Sequence, residues 1–454
     1  MNFIAGHRPR RLSCVLLAAA LAGMVAGSGT ANAETAEALD VTGYDLTLEH
    51  QPGAQTLRGT AVISAKARSA LDRVTVRLAG LRATAVTVDS VPVKSFAHNA
   101  DDELLIQPAT TIRPGAGFRL RVEYGGTPGP GWLATTTGGA NAFLGSSRSW
   151  FPVRDQARDK AEFRLAMTVP DGWGVVSVGR EGQQQAGAGS TTFHWAEPEV
   201  DPDHVSVSID RFTTERGALA DGTPVITAYA PGLQTATKPL ADRLPEVLDF
   251  LSAKFGRYPF DAAGNVFLQV SDDAPATSPQ TRPVYLGAGN PQYMTLETVV
   301  HEQAHQWYGI SAAPRLPADS CLSECFASYA PWLWQEAKEG ADLDLRYRQI
   351  VAAKRGEPAF WERLYQPGVT PGITMYNKGP LALHALRRQL GEQAFDQLLR
   401  RWPQEHRASY ADWPKFEALA AEVSGQNLDG FFAAWFRGAT VPADEYLWPG
   451  PLKP

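Results

Sequence analysis

The stretch VVHEQAHQWYG, residues 299–309, sets His301 and His305 four positions apart with Glu302 beside the first. On an α-helix, residues i and i+4 lie one turn apart on the same face, so both imidazoles can address one ion. Zinc takes imidazole nitrogen at about 2.0–2.1 Å. Glu302 is rotated off that line yet close enough to reach a water beside the ion. H-E-x-x-H thus draws two ligands and a general base from a turn and a half of helix. A catalytic zinc also needs a third protein ligand and an open fourth position. Glu324 answers that need: eighteen residues separate it from His305, and it sits in its own helical pattern, LSECFASYAPWL. Alone, it would read as a solvated helix carboxylate; with the histidines, it completes a zinc site. Two neutral imidazoles and one carboxylate leave the ion net positive, which lowers the pKa of bound water toward about 7. Glu302 is placed to take that water's proton and pass it to a leaving amine.

The segments around this stretch are helical in pattern. From residue 238 onward, ATKPLADRLPEVLDFLSAKFG, MTLETVVHEQAHQWYG, CLSECFASYAPWLWQEAK, KGPLALHALRRQLG, EQAFDQLLRRWPQEH and KFEALAAEVSG carry apolar residues three and four apart. Upstream, residues 40–215 alternate apolar and polar positions over short lengths, as in VTGYDLTLEH, LRGTAVISAKA and FRLRVEYGG, with Gly, Pro, Asn and Asp between them. Sandwiched or saddle-shaped sheets are expected there. The domains so delimited are 34–215 and 216–454.

Residues 1–33 read as a cleavable export signal: a basic start with Arg8, Arg10 and Arg11, an apolar run over 14–25, and Ala31-Asn32-Ala33 as the cleavage site. A protein outside the cytoplasm, without a membrane anchor, is the expectation. The formal charge is −6, and processing would remove three arginines and no acid. That acidity argues against nucleic acid or anionic membrane as a partner. Cys321 and Cys325 flank Glu324; they form either a disulfide, which an oxidising compartment permits, or two buried thiols. The other histidines, His384 among them, lack metal spacing.

HEQAHQWYG and the later LSECFASY resemble the zinc signature of the aminopeptidase N family, peptidase family M1. SWFPVRDQARDKAEFRLAMTVPDGW, TTFHWAEPEVDPDHVSVSIDRF, FGRYPFDAAGNV, MYNKGPLALHALRRQLG and NLDGFFAAWF are similar to other stretches of that family. The resemblance covers about residues 40–448. It implies an α+β protein, with an N-terminal β-saddle domain before a thermolysin-like, mainly helical catalytic domain, and peptide substrates. It identifies His301, His305 and Glu324 as zinc ligands and Glu302 as the base. It also makes Tyr376, in YNKG, the donor to the oxyanion.

The pattern breaks in two places. The family anchors a substrate's free amine partly with a carboxylate upstream of the zinc helix. Here that loop reads ATSPQTRPVY, residues 276–285, and alignment on QTRP sets Ser278 where the glutamate belongs. A charge-assisted hydrogen bond lost there forfeits about 1.5–3 kcal/mol. Ser278, Gln280 and Arg282 are the substrate-side residues of this loop, with Asp272 and Asp273 as substitute acids. Around the third ligand, Cys321, Ser323 and Cys325 stand where tryptophan, asparagine and glycine are usual. The leading expectation is a secreted zinc aminopeptidase of short peptides. The alternatives are a zinc-stabilised peptide-binding homologue with little activity, and a peptidase indifferent to a free N-terminus.

Overall fold

The computed structural model describes residues 38–154, 160–270, 277–278 and 282–453. The expected export signal lies outside the described residues, as do Asp272, Asp273, Gln280 and the side chain of Ser278.

Alternation builds the N-terminal body. Leu39–Gln51 pairs antiparallel with Thr56–Ala67 along its whole length, and Leu46, Leu48, Leu57, Ala61 and Ile63 all turn inward. The same strand pairs in parallel with Ala161–Pro170, so residues more than a hundred apart meet in the middle of a nine-stranded sheet. Smaller three- and four-stranded sheets complete this body. Trp150 and Phe151 are fully buried and meet edge-on at 4.6 Å, with Phe163 6.2 Å from each. The W-F-P stretch therefore sits inside the core beneath the large sheet.

The second body begins with a five-stranded sheet of Thr213–Ala218, Pro224–Tyr229, Ala263–Phe267, Val284–Tyr285 and Thr277–Ser278. Its first strand straddles the boundary expected at 215/216. Alternation gives this sheet two different faces. Ile226, Ala228, Val266, Leu268, Val284 and Leu286 join the core of the N-terminal body. Tyr229, Phe267 and Tyr285 stack across neighbouring strands on the other face, with centroids 5.4 and 5.0 Å apart. A sheet buried on both sides leaves little freedom between the two bodies.

The helices follow the apolar spacing: α1 (Gln234–Ala241), α2 (Leu244–Phe255), α3 (Leu296–Ala304), α4 (Cys321–Glu339), α5 (Leu343–Lys354), α6 (Thr374–Leu390), α7 (Glu392–Glu405) and α8 (Trp413–Ser424). Trp307, Trp334, Trp361, Trp402, Trp413 and Trp435 fill the space between them at 2 % exposure or less. Among the described residues no helix is long and apolar enough to cross a membrane.

Arg282 corrects one sequence expectation. It is 2 % exposed and points toward the N-terminal body, not toward a substrate cleft. Its guanidinium donates to the carbonyls of Ser177, Gly179 and Ala263 and lies over the Trp195 ring at 5.2 Å. Burial lowers its pKa to about 10, with Tyr258, Glu197 and Glu181 acting the other way. Arg282 is a clamp between the bodies. Arg282→Met keeps the stem but leaves three carbonyls buried without donors, which costs about 3 kcal/mol or more. Calorimetry of this variant should show a lowered, divided unfolding transition; a single transition within about 2 °C of wild type, less than one such bond is worth, would refute the clamp.

Candidate metal centre

Helix α3 is capped by Thr295, whose side chain accepts from the Thr298 amide at 3.2 Å. It packs under the second sheet, and Gln303 donates to Gly264 O (3.2 Å) and Asn265 Oδ1 (2.9 Å). The helix ends at Ala304, but His305 keeps right-handed helical angles, so the i, i+4 relation to His301 survives. Residues of the same motif anchor the chain beyond. The Trp307 indole donates to Gly256 O at 2.9 Å, and the Tyr308 hydroxyl to Leu399 O at 2.8 Å. The Tyr308 ring stacks on Phe326 of α4 at 4.4 Å. Gly309, at φ +122°, lets the chain turn away; a Cβ there would fall 2.2 Å from Ser323 Oγ. No other residue permits so close an approach of α4.

That approach assembles the centre. His301 Nε2 and His305 Nε2 are 3.2 Å apart. Glu324 Oε2 lies 3.6 Å from the first and 3.4 Å from the second. Ligands about 2.0–2.1 Å from a tetrahedral ion stand about 3.3–3.4 Å from one another, so these three separations match the edges of a zinc tetrahedron. The atoms themselves ask for a cation: Glu324 Oε2 is buried with no hydrogen-bond partner, and two imidazole nitrogens face each other. His301, Glu302 and His305 are also grouped closely enough to hold an ion. Glu302 Oε1 stands farther off, 4.0 Å from His301 Nε2. Glu324 Oε2 is thus in place for a third ligand, with Glu302 beside it.

The supports fix the charges. His305 Nδ1 donates to Tyr308 O at 3.1 Å, with Ser323 Oγ 3.0 Å away. A carbonyl only accepts, so the proton sits on Nδ1 and Nε2 is free to ligate. Burial disfavours a charged His305, but the carboxylates of Glu324 and Glu302 outweigh it and raise the imidazole pKa to about 9. Burial acts on Glu324 in the opposite sense, and the two histidines overcome it, holding the carboxyl well below its usual range. A cation at this place would compete with that proton.

Tyr376, in the first turn of α6, lies with its ring 6.2 Å from the His301 ring and inclined to it by 29°. Burial, then Glu324 and Glu302, hold its phenol far above the ordinary tyrosine pKa. It stays a neutral donor at any working pH. Two residues on, Lys378 is fully buried and donates to the carbonyls of Trp361, Glu362 and Gly438 at 3.2, 2.9 and 3.1 Å. It ties the start of α6 to the chain at Trp361 and Glu362 and to Gly438, just beyond the helical segment Ala433–Arg437.

The structure thus gathers His301, His305, Glu324, Glu302 and Tyr376 and sends Arg282 elsewhere. Ser278 falls in a two-residue strand against Val284–Tyr285. Cys321 and Cys325 are joined as a disulfide, and both are buried. Sequence reasoning missed Lys160, whose ammonium donates to Ile310 O (2.8 Å) and Ser311 O (2.7 Å) just beyond the metal motif. It missed Tyr285 and Tyr293 too, buried phenols whose pKa values are raised first by burial and then by Glu302. The one available signal for Lys160 was the D-K of the W-F-P stretch, which named no partner.

Comparison with known proteins places the chain in a family. The Peptidase M1 N-terminal domain model matches residues 41–202 and the Peptidase family M1 domain model matches residues 288–435. Aminopeptidase M1-B of Oryza sativa subsp. japonica is 23 % identical over 321 residues, 65 % of this chain and 36 % of its own length. Human Aminopeptidase RNPEPL1 is 24 % identical over 344 residues, 69 % of this chain and 45 % of its own. The chain therefore spans less than half the length of these curated relatives. An M1 zinc metallopeptidase from Deinococcus radiodurans superposes with a TM-score of 0.78 at 25 % identity, covering 89 % of this chain and 95 % of that one. A mutant of a two-domain M1 zinc metallopeptidase bound to L-arginine gives 0.79, also at 25 % identity. With both domain models matched in order, and a structural likeness running through nearly all of both chains, the chain belongs to peptidase family M1.

Proposed function

We propose that this chain is a secreted, zinc-dependent peptidase of aminopeptidase type, acting near the N-termini of short peptides. One observation carries the proposal: three ligand atoms at tetrahedral spacing, with a carboxylate and a neutral phenol beside them. Zinc bound there supplies a Lewis acid that lowers the pKa of water and polarises the scissile carbonyl. His301, His305 and Glu324 would hold it. Glu302, 3 % exposed, takes the proton of the attacking water and delivers it to the leaving amine. Tyr376 donates its phenolic hydrogen to the oxygen on which negative charge develops. Similarity to a two-domain M1 metallopeptidase with bound L-arginine supports an amino-terminal residue as the group recognised. Export rests on the pattern of residues 1–33.

A second reading has an observation in its favour. With Ser278 at the amine-anchoring position, the stretch ATSPQTRPVY itself contains no carboxylate for an ammonium. Among the described residues, the carboxylates that bear on Tyr376 are Glu324 and Glu302, both already committed. Such a site would cleave peptides without demanding a free amine.

Glu302→Gln should lower kcat by about a thousandfold or more while leaving bound zinc, measured by elemental analysis, at one per chain; general acid–base groups typically contribute 10²–10⁴. Equal turnover by the variant would remove Glu302 from the chemistry. Tyr376→Phe should lower kcat by about 10²–10³ with KM little changed. Free and N-acetylated fluorogenic peptides separate the two readings: an aminopeptidase prefers the free form by at least about tenfold, the value of one charge-assisted bond, and equal rates favour the second.

A further inference from the structure

Cys321 and Cys325, which stand where the resemblance leads one to expect tryptophan and glycine, form a disulfide around the third ligand position, Glu324. Helix α4 begins at Cys321 after Ser320, which gives no side-chain cap. The amides of Ser323 and Glu324 both reach back to one acceptor, Ser320 O, at 2.9 Å. A helix's first turn lacks intrahelical acceptors for its amides and is the part that frays. Yet this turn carries the ligand Glu324 and the hydroxyl of Ser323 beside His305 Nδ1.

The bridge closes around that turn. Cys321 and Cys325 are the residues on either side of Ser323 and Glu324, with Cα atoms 4.8 Å apart and no exposed surface. It also lies where α4 meets α6. A Cβ on Gly379 would fall 2.6 Å from Cys325 Sγ and 3.1 Å from Cys325 Cα, so the two helices are in direct contact there. Tyr376 stands three residues before Gly379, one helical turn away, and Glu324 one residue before Cys325. The covalent turn is therefore the surface against which α6 sets the phenol.

We infer that the Cys321–Cys325 disulfide is a positioning element of the metal centre: it holds the Glu324 carboxylate toward the two imidazoles and, through Gly379, the Tyr376 phenol toward Glu324. This rests on the zinc reading proposed above. A loop this short removes little entropy from the unfolded chain, so its effect is concentrated at the turn it closes.

The test compares wild type with Cys321→Ala/Cys325→Ala, and with Cys321→Ala alone, which keeps the Cys325 sulfur packed on Gly379 should the double variant fold poorly. Zinc transfer to excess EDTA and hydrogen exchange of the amides at 322–326 in metal-free protein are measured for each. Loss of the bridge should speed zinc release at least about tenfold, the scale on which groups supporting metal ligands act. Exchange at 322–326 should accelerate by a similar factor, with no change in the N-terminal sheet. Wild-type rates in both variants would overturn the inference, as would two titratable thiols in unfolded, unreduced wild type. If wild type takes up no zinc, the peptidase reading falls, while the exchange rates still decide whether the bridge holds the turn.

Discussion

Two imidazole nitrogens and one carboxylate oxygen, all buried and all within 3.6 Å of one another, impose the main constraint on this molecule. Such groups do not gather unaided. Burying a carboxylate is costly unless a positive charge is near, and the fold must supply rigidity enough to keep the three atoms facing one point. The surrounding bonds serve that end. Gln303 fixes α3 to the sheet, Trp307 and Tyr308 fix the chain beyond it, and the ring of Tyr308 on Phe326 brings α4 into register. Each of these residues belongs to the same short motif or packs directly on it.

The N-terminal body bears on the site through the second sheet and through Lys160. Its core continues across one face of the second sheet, whose other face supports α3. Lys160 reaches from the first body to the carbonyls of Ile310 and Ser311, and the Ile310 amide in turn bonds His305 O at 3.0 Å. Burial pulls the Lys160 pKa down to about 8, with Asp201 and Glu199 resisting. Tyr410 adds a bond from the second body to Asp201 of the first at 2.5 Å. The position of His305 is thus connected by hydrogen bonds to a different body of the protein.

The sequence by itself determined the local part of this protein. Helical spacing settled that His301 and His305 share a face and that Glu302 stands beside them. Alternation settled which residues of Leu39–Gln51 and Thr56–Ala67 turn inward. These follow from the 3.6- and 2-residue periods of the backbone, which need no distant partner. Glu324 was legible because a zinc ion with two histidines demands a third ligand, and Tyr376 only because its neighbours resemble a family motif.

Tertiary structure alone decided the rest. Arg282 reads as a loop residue next to Ser278, but its guanidinium serves carbonyls more than a hundred positions earlier, at Ser177 and Gly179. Lys160 and Ile310 are 150 residues apart. The strand at Thr213–Ala218 belongs to the second sheet because of its partner Pro224–Tyr229, not because of its own composition. Cys321 and Cys325 allowed both a bond and a pair of thiols until their side chains were placed. In each case the deciding interaction joins segments brought together by burial of the two cores, and no backbone period records which distant carbonyl, ring or strand that burial will bring near.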